Sequence, residues 1–521
     1  MIRTNRILLC LLAIAAAAGA QNSATVKAAA DRYEAQKQGF PLTDAQRNEA
    51  GLLEREARRA TQAGRFADAL RAYAHATAVV RNVEWTPALD LATSLGLRTG
   101  HFLPDPGQSV VLSLTPLYPI TQSENARLTA AVFLTPSGTA NRRQLVRPVT
   151  LDPVHLPFAI RFTVPDVPPG NYSLEVRLAP LNSAAPEILH DILLKSVTVH
   201  IESLSHSAAA LGEKLAQVSS SEASETSGAP KRQAALATAE YVLRFYERAD
   251  RGEEGLRRFS RYPFAKQFAA ANAMLDDLAA GRDPFGANPG DFRRAYRSTV
   301  DHSLQPYRLF VPVGYDGRRD FPLVVALHGA GGDENDFFDS YPEAPLKPEA
   351  QRLGFLVVCP EGRGPTSGYR GAAEQDVFDV LAEVRRDYRI DPRRIYLMGH
   401  SMGAYATWRL AAQHPGIFAA LGPMAGGGNP ADILKLRDVP QYVVHGAMDG
   451  TVPVAQSRAM VAAARHAGAE VVYVELPKAG HYDAVIGQFG PMLEFFAAHP
   501  KPAASHPEWW GGDPGERRAG R

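Results

Sequence analysis

The chain has 521 residues, 45% of them hydrophobic and 21% charged, which is typical of a globular protein built from domains of about 100–200 residues. Its 56 Lys and Arg residues are balanced by 55 Asp and Glu residues, so the formal net charge is +1. There is no basic surplus for binding nucleic acid and no acidic run that would form a solvating tail, so we expect no nucleic-acid partner.

Residues 1–20 have the organisation of a secretory signal peptide. Arg3 and Arg6 provide a positive start, Ile7 to Ala18 form an apolar core, and Ala18-Gly19-Ala20 fits a cleavage site. The apolar core is too short to span a bilayer, which takes about 20 residues, although a permanent membrane anchor is the alternative. We expect export to the periplasm or the medium, cleavage after Ala20 and no stable membrane anchor.

The chain contains two cysteines, and their positions predict no internal disulfide. Cys10 lies within the signal segment and follows Leu9, where lipid attachment would favour a small residue. Only Cys359 would remain after cleavage, so the exported chain must be stabilised by packing.

Residues 21–100 are predicted to be helical. Seven positions fit the two helices of a tetratricopeptide-type pair: Leu53, Ala57, Gly64, Phe66, Ala69, Tyr73 and Ala76. Such repeats need about three copies to bury a continuous core, and only one is visible. A plain helical hairpin is therefore the alternative that we favour.

Residues 101–203 are predicted to form a small β-sandwich, because apolar residues there recur with period two. Four segments have this pattern, namely 110–114, 127–133, 158–162 and 172–178. A turn of Pro and Gly at 168–171 separates the last two. The domain could be a spacer or a sugar-binding module, and the absence of an aromatic cluster favours a spacer.

Residues 204–285 are predicted to be a helical linker region, interrupted by the Ser- and Gly-rich stretch 219–228. From 286 to 500, apolar strands alternate with helices, which predicts a doubly wound, mostly parallel sheet. The predicted strands are 321–327, 355–359, 394–398, 442–445 and 471–476. The polar end, 501–521, is expected to be unstructured.

Gly399-His400-Ser401-Met402-Gly403 lies between the predicted strand 394–398 and a predicted helix, 404–412. A G-x-S-x-G sequence between a strand and a helix indicates a nucleophile elbow, a turn so tight that its flanking positions must be glycine. Ser401 is therefore a candidate nucleophile.

A serine nucleophile needs a base, and the base needs a carboxylate, in the chain order Ser, Asp or Glu, His in this kind of sheet. Asp449 directly follows a buried strand and is the candidate carboxylate, with Glu475 and Asp483 as alternatives. Asp449 could instead cap the next helix, but Thr451 is available for that purpose.

His481 lies in the loop after the last predicted strand and is the candidate base among 15 histidines. His445 is interpreted as a packing residue at a strand end, and His414 as a residue near a helix terminus.

The chemistry also needs two backbone N–H groups that face the developing oxyanion. Met402, which follows the nucleophile, should supply one of them. The glycine-rich loop 327–332 should supply the other, with Ala330 as first choice and Gly331 as second. This loop lacks the Lys-Ser/Thr pair of a phosphate-binding P-loop.

Together these motifs resemble the α/β-hydrolase superfamily, in particular exported feruloyl esterases, polyhydroxybutyrate depolymerases and prolyl-oligopeptidase-type catalytic domains. The resemblance covers about 305–498 and rests on the loop 327–332, the run 391–396 leading into the elbow, Asp449 and Gly480-His481. Two features depart from the family pattern: Ala404 replaces a second glycine after the elbow, and no cysteine pair braces the site.

The resemblance implies a two-step acyl transfer by Ser401, His481 and Asp449, without a metal or an organic cofactor. We expect an exported serine hydrolase that cleaves small-molecule or polymer-linked carboxylic esters. The alternatives are a prolyl-oligopeptidase-type peptidase and a binding protein that has lost its activity. The oligomeric state is left open.

Four aromatic residues lie in the loops 333–348 and 361–373, which should border the site: Phe337, Phe338, Tyr341 and Tyr369. They could line a pocket for an aryl ester or pack the loops onto the sheet.

Overall fold

The structure is a computed structural model that describes residues 22–120, 126–180, 193–220, 229–286, 288–341 and 345–502. The predicted signal peptide, most of the stretch 219–228 and the tail from 503 onwards lie outside these residues. The chain divides into two compact units. Unit 1 comprises the chain up to Ala210 and Leu243–Lys266, and unit 2 comprises Leu211–Val242 and Gln267 onwards. The predicted linker region 204–285 is thus shared between the two units.

Unit 1 begins with helices. Their bounds are α1 (Ser23–Gly39), α2 (Asp44–Gln62), α3 (Phe66–Val80) and α4 (Pro87–Ser94). Thr43 and Gln46 form a capping box that satisfies two backbone N–H groups at the start of α2. Small buried alanines, among them Ala57 and Ala76, let α1, α2 and α3 pack closely around Tyr33. The predicted helical hairpin corresponds to α2 and α3.

The described residues of unit 1 continue with the strands β1 (Leu95–Thr99), β2 (Ser109–Pro116), β3 (Leu128–Pro136), β4 (Arg143–Leu151), β5 (Phe158–Thr163), β6 (Gly170–Pro180) and β7 (Leu194–Ile201). They form two antiparallel sheets, with the orders β1-β2-β5 and β4-β3-β6-β7. Residues from both sheets share one hydrophobic core. The sequence pattern did not predict β1, β4 or β7, each of which lies at a sheet edge, where burial imposes little alternation.

The stretch shared by the units contains α5 (Ser205–Ser220), α6 (Ala229–Asp250), α7 (Leu256–Phe259) and α8 (Phe264–Ala279). No helix among the residues that the structure describes is both long enough and apolar enough to cross a bilayer.

Unit 2 contains an eight-stranded sheet of β8 (Gly290–Arg297), β9 (Leu304–Val311), β10 (Phe321–Leu327), β11 (Leu356–Pro360), β12 (Ile390–His400), β13 (Leu421–Met424), β14 (Gln441–Gly446) and β15 (Val471–Leu476). The strand order is β15-β14-β13-β12-β10-β11-β9-β8. The strands from β15 to β11 pair in parallel, whereas β9 runs antiparallel to both of its neighbours, β11 and β8. The doubly wound, mostly parallel sheet predicted from the sequence is confirmed.

Each face of this sheet supports its own hydrophobic core, because side chains alternate between faces along a strand. In β10, Leu323 and Val325 belong to one core, whereas Val324 and Ala326 belong to the other. The first face is covered by α11 (Ala372–Asp387), α12 (Met402–Gln413) and α13 (Ala455–His466), and the second by α10 (Leu346–Leu353) and α14 (Phe489–Ala498). A short helix, α9 (Asp336–Asp339), follows β10. Parallel strands place the loops after β10, β12 and β14 at one edge of the sheet.

Candidate active site

Ser401 occupies the sharp turn between β12 and α12, with backbone angles φ 55° and ψ −117°. A left-handed conformation is costly for a residue with a side chain, so tight packing must impose it. A Cβ atom on Gly399 would lie 2.3 Å from the carbonyl oxygen of Gly403, and one on Gly403 would lie 1.8 Å from the carbonyl oxygen of Leu327. The two glycines of the motif are therefore required by close backbone contacts on either side of Ser401.

The loop after β10 passes directly beside Ser401. A Cβ atom on Gly329 would lie 3.3 Å from the Cβ of Ser401. His328 is buried and anchors this loop, since its Nε2 lies 2.7 Å from the carbonyl oxygen of Glu361. The predicted oxyanion loop and the nucleophile are thus adjacent.

The amides of this region differ in their availability. The Gly331 N–H donates to the carbonyl oxygen of Pro365 at 2.8 Å, so this amide is not free to bind an oxyanion. Within the described part of the chain, the N–H groups of Met402 and Ala330 have no hydrogen-bond partner. Met402 and Ala330 therefore remain the candidate donors.

The three predicted side chains form a continuous hydrogen-bonded chain. His481 Nε2 lies 2.9 Å from Ser401 Oγ, and His481 Nδ1 lies 2.7 Å from Asp449 Oδ2. The side chain of Asp449 is fully buried, and that of His481 is 8% exposed. With Nδ1–H donating to the carboxylate, Nε2 is left to accept the hydroxyl proton of Ser401.

The Asp449 carboxylate is held in its ionised form. Burial favours its neutral form, but the hydrogen bond from His481 and the N–H groups of Val452 and Thr451 outweigh burial and lower its pKa. These two amides donate to Oδ1 at 2.8 Å each, which leaves Oδ2 for the histidine. The backbone turn after Asp449 therefore does not make this residue a helix cap. Its N–H groups hold the carboxylate so that Oδ2 faces His481.

The two alternative carboxylates have other partners. Glu475 binds Arg458 at 2.9 Å and accepts the hydroxyl proton of Tyr473 at 2.7 Å. Asp483 accepts the N–H of Gly480 at 3.1 Å. Of the three acidic residues considered, only Asp449 contacts His481.

His445 is buried, as expected for a packing residue, but it also lies beside the predicted carboxylate. Its Nε2 is 3.2 Å from Asp449 Oδ2 and 3.0 Å from the carbonyl oxygen of Val452. Its position four residues before Asp449 was the only signal in the sequence for this contact. His414 lies at the end of α12 and pairs with Glu374 at 2.7 Å.

His400, within the elbow itself, was not predicted to have a role. Its Nε2 lies 2.9 Å from the carbonyl oxygen of His481, and its Nδ1 lies 2.9 Å from the hydroxyl of Tyr341. Burial lowers the pKa of His400 to about 4, although the hydrogen bond to the His481 carbonyl opposes this shift. Neutral His400 therefore donates from Nε2 and accepts from Tyr341, which ties the backbone of His481 to the elbow.

The four loop aromatics are engaged mainly in packing. Phe337 and Tyr369 are fully buried, and Phe338 lies beneath the cationic groups of Arg308 and Lys347. Tyr341 is half-buried and binds His400. These contacts favour the packing interpretation over an aryl-ester pocket. No group of three or more His, Cys, Asp or Glu side chains among the described residues is arranged to hold a metal ion.

Residues 324–438 match the family model described as "Alpha/beta hydrolase family". The chain is 32% identical over 133 residues to a bifunctional acetylxylan esterase/xylanase of Neocallimastix patriciarum, which covers 25% of this chain and 19% of that protein. It is 26% identical over 244 residues to a poly(3-hydroxyoctanoate) depolymerase of Pseudomonas fluorescens, and the match covers 41% of this chain and 87% of that protein. It is 28% identical over 125 residues to a probable feruloyl esterase C of Aspergillus terreus, and the match covers 23% of this chain and 46% of that protein.

The chain therefore spans about a fifth of the bifunctional relative and less than half of the feruloyl esterase. The family match lies within the sheet of unit 2 and includes β10, β12 and the elbow. The resemblance to the α/β-hydrolase superfamily and the α/β-hydrolase fold of this region are confirmed.

Proposed function

We propose that residues 286–500 form a serine hydrolase that cleaves carboxylic esters. The observation that carries the proposal is the hydrogen-bonded chain from Ser401 through His481 to Asp449 at the carboxyl edge of a parallel sheet. The N–H groups of Met402 and Ala330, which have no hydrogen-bond partner among the described residues, would complete the set that acyl transfer requires.

In the proposed reaction, Ser401 Oγ attacks the ester carbonyl carbon while His481 Nε2 takes the hydroxyl proton. The carbonyl oxygen becomes an oxyanion, which Met402 and Ala330 stabilise with their N–H groups. The bond to the alcohol then breaks as His481 returns the proton to the leaving oxygen. A water molecule gives its proton to His481, attacks the acyl-enzyme and releases the acid, and Ser401 regains its proton.

We favour an ester over a peptide because the three relatives described above are named as an acetylxylan esterase/xylanase, a poly(3-hydroxyoctanoate) depolymerase and a probable feruloyl esterase. The rim of the site also supports an apolar substrate. Met448 and Tyr482, the neighbours of Asp449 and His481 in the sequence, are 69% and 65% exposed. Exposed apolar side chains beside the triad would contact an aliphatic or aromatic group of a small or polymer-linked ester.

A fluorophosphonate probe and a substrate panel test this function. The wild type and an exposed control, Ser137→Ala, should label and hydrolyse at least one ester among acetyl, aliphatic and feruloyl substrates. Ser401→Ala should do neither. Cleavage of proline-containing peptide amides with negligible ester turnover would instead support the peptidase, and a wild type that neither labels nor turns over would support an inactive binding protein.

We also propose that the protein is exported, on the basis of the sequence features of residues 1–20 alone. Mass spectrometry of the protein isolated from the periplasm or medium should find Gln21 at its N-terminus. Recovery of a chain that still begins with Met1 in the cytoplasm would contradict export without affecting the proposed chemistry.

A further inference from the structure

We infer that His445 is a positioning residue that fixes the Asp449 carboxylate against His481 by donating its Nε2–H to the same carboxylate oxygen, Oδ2. The inference rests on the proposed function in that it assigns His445 a part in the same catalytic chain. His445 does not touch the reacting atoms, and its effect passes through Asp449.

The distances place two histidines on one oxygen. Asp449 Oδ2 is 2.7 Å from His481 Nδ1 and 3.2 Å from His445 Nε2. The side chains of both His445 and Asp449 are completely buried, so water does not compete for these contacts. A buried contact of this kind is electrostatically stronger than the same contact at the protein surface.

The neighbours of His445 determine where its protons lie. Nε2 faces only oxygen acceptors, the carboxylate of Asp449 and the carbonyl of Val452, so Nε2 must carry a hydrogen. Nδ1 lies 2.7 Å from Ser457 Oγ. The Ser457 hydroxyl also lies 2.8 Å from the carbonyl oxygen of Gly426, so its single proton is shared between that oxygen and Nδ1. In a neutral ring the ring hydrogen stays on Nε2, which lies 3.0 Å from the Val452 carbonyl oxygen and 3.2 Å from Asp449 Oδ2.

Burial supports the neutral ring. It lowers the pKa of His445, and this effect exceeds the opposing hydrogen bond to Val452 and the attraction of Asp449. The charged or titratable groups that face His445 are Asp449 on its own turn, His481 after β15 and His400 at the end of β12. Glu475 on β15 also acts on it, but that carboxylate is paired with Arg458.

Two consequences follow for the reaction. A second donor on Oδ2 keeps the carboxylate from rotating away from His481, which preserves the tautomer that the base needs. The same donor withdraws negative charge from Oδ2, so Asp449 attracts a protonated His481 less strongly. Removal of the donor should therefore make His481 take up its proton at a higher pH, in addition to slowing the reaction.

A matched pair of amide substitutions separates this role from simple packing. In His445→Gln, the amide nitrogen can occupy the place of Nε2 and still donate to Asp449. In His445→Asn, the shorter amide can reach Ser457 but not Asp449. His414→Asn removes a different histidine from a carboxylate, Glu374, in the same unit and serves as the control.

The first measurement is an NMR titration of histidine-labelled protein in a Ser401→Ala background, which requires no turnover. For His445→Asn we expect the titration midpoint of His481 to rise by about half to one pH unit, a shift that corresponds to a weak hydrogen bond. The Gln variant and His414→Asn should keep the midpoint of the parent. An unchanged midpoint in a folded His445→Asn variant would overturn the inference.

The second measurement is the pH profile of kcat/KM in the Ser401 background. In His445→Asn, the acid limb of the profile should shift to higher pH by the same amount as the NMR midpoint. The value of kcat should fall about tenfold, with KM nearly unchanged. If the Asn variant does not fold, Ser457→Ala replaces it, because that change removes the hydroxyl that holds Nδ1 in place and should give a smaller upward shift. No shift in that variant would also count against the role.

The two measurements distinguish the inference from the proposed function. A shifted His481 midpoint in a protein that hydrolyses no ester would support the His445 contact and contradict the esterase. Ester hydrolysis by the wild type with an unshifted midpoint in the variants would leave the esterase standing and reject the inference.

Discussion

The nucleophile and its base are held in place by different means. On the nucleophile side, the backbone holds Ser401 in place, since a Cβ atom on Gly399 or Gly403 would collide with a neighbouring carbonyl oxygen. On the base side, Asp449 and His481 lie in loops and are fixed by hydrogen bonds from side chains and backbone amides. Steric contacts position one half of the site, and polar contacts position the other.

This difference explains why the halves should fail differently when mutated. Added volume has no place to go beside Ser401, because the cores on both sheet faces are closely packed. Loss of a hydrogen bond to Asp449 or His481 leaves the fold intact but allows the His481 ring to hold its proton in the wrong position. His400 connects the halves, since it belongs to the elbow and donates to the backbone of His481.

The largest expected effect is on the base side. Asp449→Asn should lower kcat about 10⁴-fold, roughly 5 kcal/mol of barrier, because an amide can turn its own N–H towards His481 and reverse the tautomer. Steady-state kinetics on an ester that the wild type cleaves would measure this loss, with circular dichroism to verify folding. Activity within tenfold of the wild type would mean that another carboxylate supports His481, and Glu475→Gln and Asp483→Asn would then identify it.

The elbow should respond to volume. Gly403→Ala places a methyl group 1.8 Å from the Leu327 carbonyl oxygen, so we expect a loss of about 4 kcal/mol in the free energy of unfolding. The control is Gly450→Ala on the base side, where no atom lies within 4 Å of the added Cβ.

Urea unfolding of both glycine variants gives the comparison. Gly450→Ala should keep its free energy of unfolding within about 1 kcal/mol of the wild type. Equal losses in the two variants would show that the elbow is no more tightly packed than the turn after Asp449.

The histidine that connects the halves should make stability depend on pH. His400 has a pKa of about 4 in the folded protein, below its ordinary value of about 6.5, so the unfolded chain binds more protons between these values. Its contribution to stability is therefore present at neutral pH and is lost as pH falls from about 6.5 to 4. The full loss is on the order of 3 kcal/mol.

Urea unfolding at pH 7 and pH 4.5 measures this loss as a difference between the wild type and His400→Gln. The variant should lose less stability than the wild type between the two pH values. An equal decline in the wild type and His400→Gln would show that the buried ring of His400 does not resist protonation.

The smallest expected effect concerns Tyr341. Tyr341→Phe keeps the ring packed against Phe337 and Phe489 but removes the hydroxyl that donates to His400. We expect a loss of about 1 kcal/mol in stability and a fall of about fivefold in kcat. Tyr442→Phe removes a hydroxyl that binds Gln488 and should affect stability alone. Equal kcat values for the two variants would show that Tyr341 does not act on the site through His400.

Much of unit 2 was predictable because its signals are local. The run from Phe321 to Leu327 is apolar at every position, as a strand buried on both faces must be. The strands that escaped prediction lack that signal. β4 exposes most of its residues, and β13 has only four residues, from Leu421 to Met424.

The contacts around the base were less predictable, because they join residues far apart in the chain. Tyr341 and His400 are separated by 59 positions, and His400 and His481 by 81. Nothing in the local sequence of Tyr341 distinguishes a hydrogen bond to His400 from packing among Phe337 and Phe338.

The sequence by itself determined the alternation of buried strands and helices, the strained turn at Ser401 and the chain order of Asp449 and His481. These follow from side-chain periodicity and from glycine geometry, which act over a few residues. Only the tertiary structure decided that Asp449 rather than Glu475 contacts His481, that the Gly331 amide is already bound, and that His400 and His445 adjoin the base. A hydrogen bond forms or fails when the distance between donor and acceptor changes by a few tenths of an ångström. The packing of segments that are distant in the chain sets that distance.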